Sequence, residues 1–453
     1  MKTLFEISRS GLRSAERSLA VTSNNLINAD TPGYSRQRVE KSPIGMQMSD
    51  RHAGLGVRIS AVNRLRNEMA DTQMLYKKQT MGYLQSQKSI FDQLEASMAS
   101  DTGIDLDLHI SKLFDSFSEL SSDPQDASVR NNLLASGQQL TQKLRAMSSN
   151  MDETSEVVRQ SATQTVTRIN ELLGELASLN QSVVTGQVSG RENHASLDQQ
   201  IHKLEQLSEL VDFETLKSDN GSLQIRIGGV KVVEEGEASL LKPEVDDVDK
   251  NFRLRLQKNG KAVDVNGGRL GGEIEMYESG IPEIRQRLDK IAESIVEEFN
   301  EVHSQGYGLD DNTQRNFFNP ANTTAADIEI NEAIRLNHRH IAASSVAEEA
   351  GNGAIAADIA ELRNVRVLEG RKLVDYAVDL ISSPGTELTR LSAGIEATDS
   401  EMQMLSIQQQ QESGVNVDEE LSKMIKYQNA YQGAARVMSA AQDMYDTLIG
   451  IVR

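Results

Sequence analysis

Three stretches of this 453-residue chain combine residue types that could do chemistry. His338 and His340 could enter one metal's coordination shell, but a pair with no third ligand nearby is usually a polar surface feature. Asp247, Asp249 and Asn251 have the spacing that opens a calcium loop. Position six is Phe252 where a glycine is needed, and position twelve is Lys258 where a glutamate would close the cage, so an acidic hairpin loop is the better reading. Gly267, Gly268, Gly271 and Gly272 follow a strand pattern without the spacing or the lysine that cradles phosphate, and read as turns. Seven histidines and scattered serines form no serine, histidine and acid arrangement that spacing can single out. No catalytic, cofactor-binding or metal site is expected, and no cofactor.

Composition narrows the class further. A net charge of -20 argues against nucleic acid as a partner, because phosphate binding needs a basic face. The acidity is central: residues 1 to 40 carry a net +2 and residues 413 to 453 a net -1, so the ends are nearly neutral and can pack against copies of themselves. There is no cysteine, and therefore no disulfide or thiol chemistry. Arg9, Arg13 and Arg17 interrupt any signal-peptide core, and no apolar run approaches a membrane span. Export, if it occurs, is expected to be uncleaved.

The elements are legible from periodicity. Ser413 to Arg453 reads as one helix behind a short break, with Asn416 and Glu419 as a reciprocal capping pair. Its seam runs Met424, Tyr427, Tyr431, Ala434, Met438, Ala441, Tyr445, Leu448, Val452. Residues Thr3 to Asn28 carry a matching seam, Phe5, Leu12, Ala15, Leu19, Thr22 and Leu26, behind a Thr3/Glu6 capping box. Two facing seams predict that the terminal helices pair and bring both ends of the chain together. The residues expected to form the assembly interface are Phe5, Leu12, Leu19, Leu26, Met424, Tyr431, Met438, Tyr445, Leu448 and Val452.

Between the ends, Asn24 to Arg36 is a dense Asn, Asp, Pro and Gly loop. Val39 to Ile59 reads as extended, Asn63 to Ala99 as helix, and Asp123-Pro124 as the cap of a helix of about 60 residues. A shorter helix covers Ala195 to Val211. The period then falls to two around Leu223 to Ile227, Val230 to Val233, Phe252 to Leu256 and Ala262 to Val265, with glycine-bearing hairpin turns between. Helix resumes at Pro282, and Leu388 to Leu405 forms a last internal seam. The expected fold class is mainly α with a small all-β insert: a helical bundle or coiled-coil stalk from the N- and C-terminal parts, the β domain inserted in the middle. The expected division is 1-35 plus 415-453 as terminal assembly domain, 36-215 plus 276-414 as elongated helical domain, and 216-275 as β domain.

The turn Asn24-Asn25-Leu26-Ile27-Asn28-Ala29-Asp30-Thr31-Pro32-Gly33-Tyr34 resembles the signature of the axial proteins of the bacterial flagellum, with Asn24, Asn25, Asn28, Thr31, Pro32, Gly33 and Tyr34 as its marked positions. Tyr34-Ser35-Arg36-Gln37-Arg38-Val39, Gly54-Leu55-Gly56-Val57, Asn316-Phe317-Phe318 and Ser413 to Glu420 resemble the hook-associated protein 1 family within that group. The resemblance implies a structural protein without enzyme activity, secreted through the flagellar type III apparatus and placed as a ring at the hook-filament junction. It implies as partners further copies of the chain, the hook protein, the second hook-filament junction protein and an export chaperone on the C-terminal segment, with no nucleic acid and no membrane insertion. The chain is shorter than that family leads one to expect, so reduced outer domains are anticipated. Another axial protein, from the second junction, hook or rod, is the alternative.

Overall fold

The computed structural model describes residues 2–31, 33–44, 56–98, 105–189, 194–218, 221–246, 251–310 and 312–452. Pro32, Gly54, Leu55, Asp247 and Asp249 lie outside the described residues, as do the side chains of Thr3 and Val452.

The chain opens with helix α1 (Lys2–Ile27), a hairpin of β1 (Gln37–Pro43) and β2 (Val57–Arg64), and helices α2 (Glu68–Met98), α3 (Leu106–Ser122), α4 (Ala127–Val188) and α5 (His194–Leu210). Seven strands follow: β3 (Glu214–Lys217), β4 (Leu223–Ile227), β5 (Val230–Glu234), β6 (Glu237–Ala238), β7 (Leu241–Val245), β8 (Phe252–Leu256) and β9 (Ala262–Val263). Helices α6 (Gly268–Glu275), α7 (Ile281–His303), α8 (Glu332–Leu336), α9 (Ala354–Glu361), α10 (Leu373–Ser413) and α11 (Val417–Val452) complete it. The fold is mainly helical, with a small antiparallel β region in the middle.

Helix α4 is the spine. Its 62 residues rise about 93 Å at 1.5 Å each, longer than a single globular core can cover, and two cores share it. Leu133, Leu140, Leu144, Met147 and Met151 join a core made with α3, α7, α9 and the start of α10. Farther along, Ala162, Val166, Ile169, Leu172 and Leu176 join a second core with α5 and the strands. Burying each Leu or Ile is worth about 1.5–3 kcal/mol, so both halves of the helix are held by packing more than by propensity. Phe317 and Phe318 belong to the first core, where they pack with Phe117, Phe299 and His303.

The β region forms a four-stranded sheet β3-β4-β5-β6 and a three-stranded sheet β7-β8-β9, both antiparallel. Gly228 and Gly229 both take positive φ at the tight turn between β4 and β5, where a side chain would be strained. Alternation does the rest: Ile225, Ile227, Val230, Val232, Phe252, Leu254 and Leu256 face the core shared with α4 and α5.

Several sequence expectations are corrected. Residues Asn63 and Arg64 are strand, paired with Arg38 and Gln37, so α2 starts only at Glu68. Helix α3 was not foreseen, and Asp123 ends it, its amide bonded to Glu119 O. The cap of α4 is Asp126, whose carboxylate accepts from the amides of Ser128 and Val129. The stretch 216-275 is not all β: residues 268–275 are α6, and the first strand starts at Glu214. Gly271 and Gly272 therefore lie within a helix instead of turns. A Cβ at Gly272 would come within 2.7 Å of Tyr83 O, so glycine is what lets α6 approach α2.

Candidate functional site: the clasp between the chain ends

Helices α1 and α11 pair antiparallel: Gly11 faces Ala434 while Asn25, near the other end, reaches Glu420. Close approach comes from small side chains. Ser8, Ser14, Ala15, Ser18, Val21, Thr22 and Asn25 are buried on α1, and Ala441 and Glu420 on α11. Ser8 and Ser18 turn their hydroxyls back to the carbonyls of Leu4 and Ser14, so these two buried serines leave no donor unpaired. Phe5, Leu12, Leu19, Leu26, Met424 and Met438 are half-buried, whereas Tyr431, Tyr445 and Leu448 are exposed.

The loop after α1 is built from its own polar residues. Asn28 Nδ2 donates to both oxygens of Asn24, Thr31 Oγ1 donates to Asn28 Oδ1, and the Tyr34 amide closes on Thr31 O. Gly33 sits at φ +78°, a left-handed position that a side chain would strain. This wrap carries Tyr34 and Arg36 back over the end of α1.

Asn25 is the hub. Its Nδ2 donates to Gln37 O at 2.9 Å and Glu420 Oε2 at 3.1 Å, and its Oδ1 accepts from Tyr34 Oη at 2.8 Å and the Gln37 amide at 2.9 Å. All four of its hydrogen-bonding positions are filled, at 1% exposure. Arg36 grips the other side of Glu420, with Nε and Nη2 on Oε1 at 3.0 and 2.8 Å, and Nη2 also meets Glu419 Oε2 at 2.6 Å. Lys423 Nζ adds a third donor to Glu420 Oε1 at 3.0 Å.

Burial works against the charge on both partners, and pairing outweighs it. Desolvation raises the Glu420 carboxyl, but the donors Asn25, Lys423 and Arg36 bring it below its ordinary value. Desolvation lowers Arg36, yet its bonds to Glu419 and Glu420 leave it raised. Tyr34 is pushed up to about 12 by burial and then by the carboxylates of Asp198 and Glu420, so its hydroxyl stays a donor to Asn25.

A second tier ties this clasp to the body. Ser35 Oγ and Arg64 Nη1 both donate to Asp198 Oδ1 at 2.8 Å, on α5. Arg66 Nε holds Asp71 Oδ2 at 2.7 Å, and Gln409 Nε2 on α10 takes the other oxygen of Asp71 at 2.8 Å. The Arg36 amide donates to Ser413 O at the break before α11. Asn416 does cap α11, accepting from the amides of Asp418 and Glu419; the carboxylate of Glu419 is engaged by Arg36 instead of completing the box. The β1 and β2 hairpin braces the pair, with Lys41 Nζ 4.7 Å from the Tyr427 ring centre and the Val57 amide on Ser10 Oγ.

The arrangement orders the two chain ends through hydrogen bonds and ion pairs. His340 Nδ1 lies 3.1 Å from Ala333 O, in a short helical turn with His338. Sequence reasoning singled out Asn25 and Tyr34 but missed Glu420 as the counterpart of Asn25, and Asp198 as the carboxylate that receives Ser35 and Arg64. The available signal was the pairing of a basic segment, 34 to 38, with an acidic one, 418 to 420.

Both ends of the chain match flagellar rod families: residues 5–34 the "Flagella basal body rod protein" and 408–451 the "Flagellar basal body rod FlgEFG protein C-terminal". Clasped terminal helices with these segments define the class, an axial protein of the bacterial flagellum. Between them, residues 91–318, half of the chain, match the "Flagellar hook-associated protein FlgK helical domain", and the chain belongs to that flagellar hook-associated protein family. Over 98% of its length it is 26% identical to the flagellar hook-associated protein 1 of Bacillus subtilis (strain 168), covering 97% of that protein. It is 22% identical to that of Salmonella typhimurium, with both chains fully covered over 561 aligned positions, so the Salmonella protein carries additional segments. The flagellar hook junction protein FlgK of Burkholderia pseudomallei shares the fold, with a TM-score of 0.66 at 13% identity over 75% of this chain and 99% of that one.

Proposed function

We propose that this chain is the structural joint between hook and filament, a ring of copies that meets the hook protein on one side and the second junction protein on the other. The carrying observation is the exposure of α11. Helix α1 covers one face of it, while Val417, Leu421, Ile425, Val437, Met444, Leu448 and Ile449 remain solvent-facing, with Ile425 60% exposed. A 36-residue helix with that much apolar surface uncovered is a surface for assembly. The central match to the hook-associated family favours this over a hook or rod protein, since the terminal segments alone are common to the class.

The same reading makes the protein non-enzymatic and secreted uncleaved through the flagellar type III apparatus, with a chaperone on the C-terminal segment before assembly. No described helix is long and apolar enough to cross a membrane. Deleting the gene tests the proposal: hooks without filaments, and flagellin shed into the medium, are expected. Intact filaments on the deletion strain would overturn it.

A further inference from the structure

Resting on the junction reading, we propose that the distal turns of α11 of one copy dock into the groove between α1 and the β1 and β2 hairpin of the next. The groove, about 540 Å³, has a floor of Ile44, Val57 and Ile59 and a rim of Arg9, Arg13 and Arg58. Among the described residues Glu6 is its lone carboxylate. Arg58 Nε donates to the Ser42 hydroxyl. Arg9 and Arg13, four residues apart and exposed, have no ion-pair partner among the described residues, although the protein is strongly acidic. An apolar floor with a cationic rim fits an apolar helix end that carries carboxylates.

The distal part of α11 has that chemistry. The face that meets α1 through Met438 and Ala441 continues, on the same alternation of three and four residues, into Tyr445 and Leu448 with Ile449 beside it. Ala441 is 1% exposed, while Tyr445, Leu448 and Ile449 are about half exposed. Asp443 and Asp446 lie among them, exposed and with no ion-pair partner among the described residues. A chain cannot seat this end in its own groove: pairing of Gly11 with Ala434 puts Arg9 and Arg13 level with the middle of α11, at least one full turn short of Asp443. The contact is therefore between copies and joins two different surfaces, a head-to-tail contact that propagates into a ring or helix.

The absence of cysteine gives a clean test. Chains carrying both Ile59→Cys and Leu448→Cys are oxidised in isolated filament-bearing flagella. Disulfide-linked dimers and higher multimers, absent from either single variant, are expected. Arg13→Glu is expected to stop filament attachment without reducing export, and Asp446→Arg in the same chain to restore it. Filament-bearing flagella whose double-cysteine chains stay monomeric or close an internal disulfide would overturn this contact while leaving the junction role intact. So would Arg13→Glu chains that attach filaments normally. A deletion strain with intact filaments would instead remove the junction reading itself.

Discussion

Asn25 uses both amide hydrogens and both acceptor positions of its carbonyl, and no other side chain of that shape supplies all four. Asn25→Ala strands the Gln37 amide and removes one donor from buried Glu420, which predicts a loss of about 2–3 kcal/mol from the clasp. Thermal unfolding, together with amide exchange in α1, measures it; unchanged protection would show that the clasp does not hold the helix. His303 is one residue through which acid acts, beside carboxylates such as Glu420 whose pKa is lowered. It is fully buried between Phe317 and the backbone, with Nδ1 2.7 Å from Arg315 O and Nε2 accepting from the Ala342 amide at 2.9 Å. Burial pushes its pKa from 6.5 to about 4, so the folded state holds it neutral. Its contribution is complete above pH 6.5 and is lost as pH falls toward 4, by up to about 3 kcal/mol. His303→Gln is expected to be less stable at neutral pH and to show a flatter decline in melting temperature between pH 6.5 and 4.

At the scale of the element, α11 has two unlike stretches. Where α1 covers it, Ala441 is buried, and Ala441→Asp places a carboxylate without a partner in the seam, costing at least about 2 kcal/mol of the helix pairing. Beyond that, Leu448 is exposed, and Leu448→Asp is expected to change the stability of the isolated protein by less than about 0.5 kcal/mol while preventing filament attachment. Calorimetry on the two purified variants separates the cases. A large drop in melting temperature for Leu448→Asp would show that the distal turns pack within the subunit. Helix α4 behaves differently, because each half has its own core, and a substitution such as Leu172→Ala is felt in the second core while Phe117 and Phe317 stay packed in the first.

For the whole molecule, the strands are half of a core. Ile225, Val232, Phe252 and Leu254 close over Leu172, Leu176, Leu204 and Leu207 on α4 and α5. Replacing residues 214–263 with a short flexible linker bares that apolar face, so reduced solubility and a lower melting temperature are expected, not a neutral trimming. Far-UV circular dichroism and sedimentation of the variant decide it; a monomer melting like the parent would make the strands peripheral. The proposed terminal assembly domain, 1-35 plus 415-453, is by contrast joined to the rest mainly by polar contacts: Ser35 with Asp198, Asn25 with the Gln37 backbone, and Glu419 and Glu420 with Arg36.

Features written in local repetition are legible in the chain alone. The 3/4 spacing of Leu133 to Val183 marks α4, the alternation of Phe252 to Leu256 marks β8, and Asn416 marks the start of α11, because each depends on neighbours within a few residues. The loop from Asn24 to Tyr34 was visible for the same reason. Tertiary structure alone decided that Asn25 and Glu420, 395 residues apart, share one hydrogen bond, that Asp198 receives Ser35, and that Gly272 sits in a helix pressed on α2. Nothing in local spacing encodes which distant carboxylate meets which amide, since that choice belongs to the packing of α1, α5 and α11 around the loop. It also decided that the seam of α11 divides into a covered part at Ala441 and an open part at Leu448: the two have the same heptad pattern and differ only in how far α1 extends beside them.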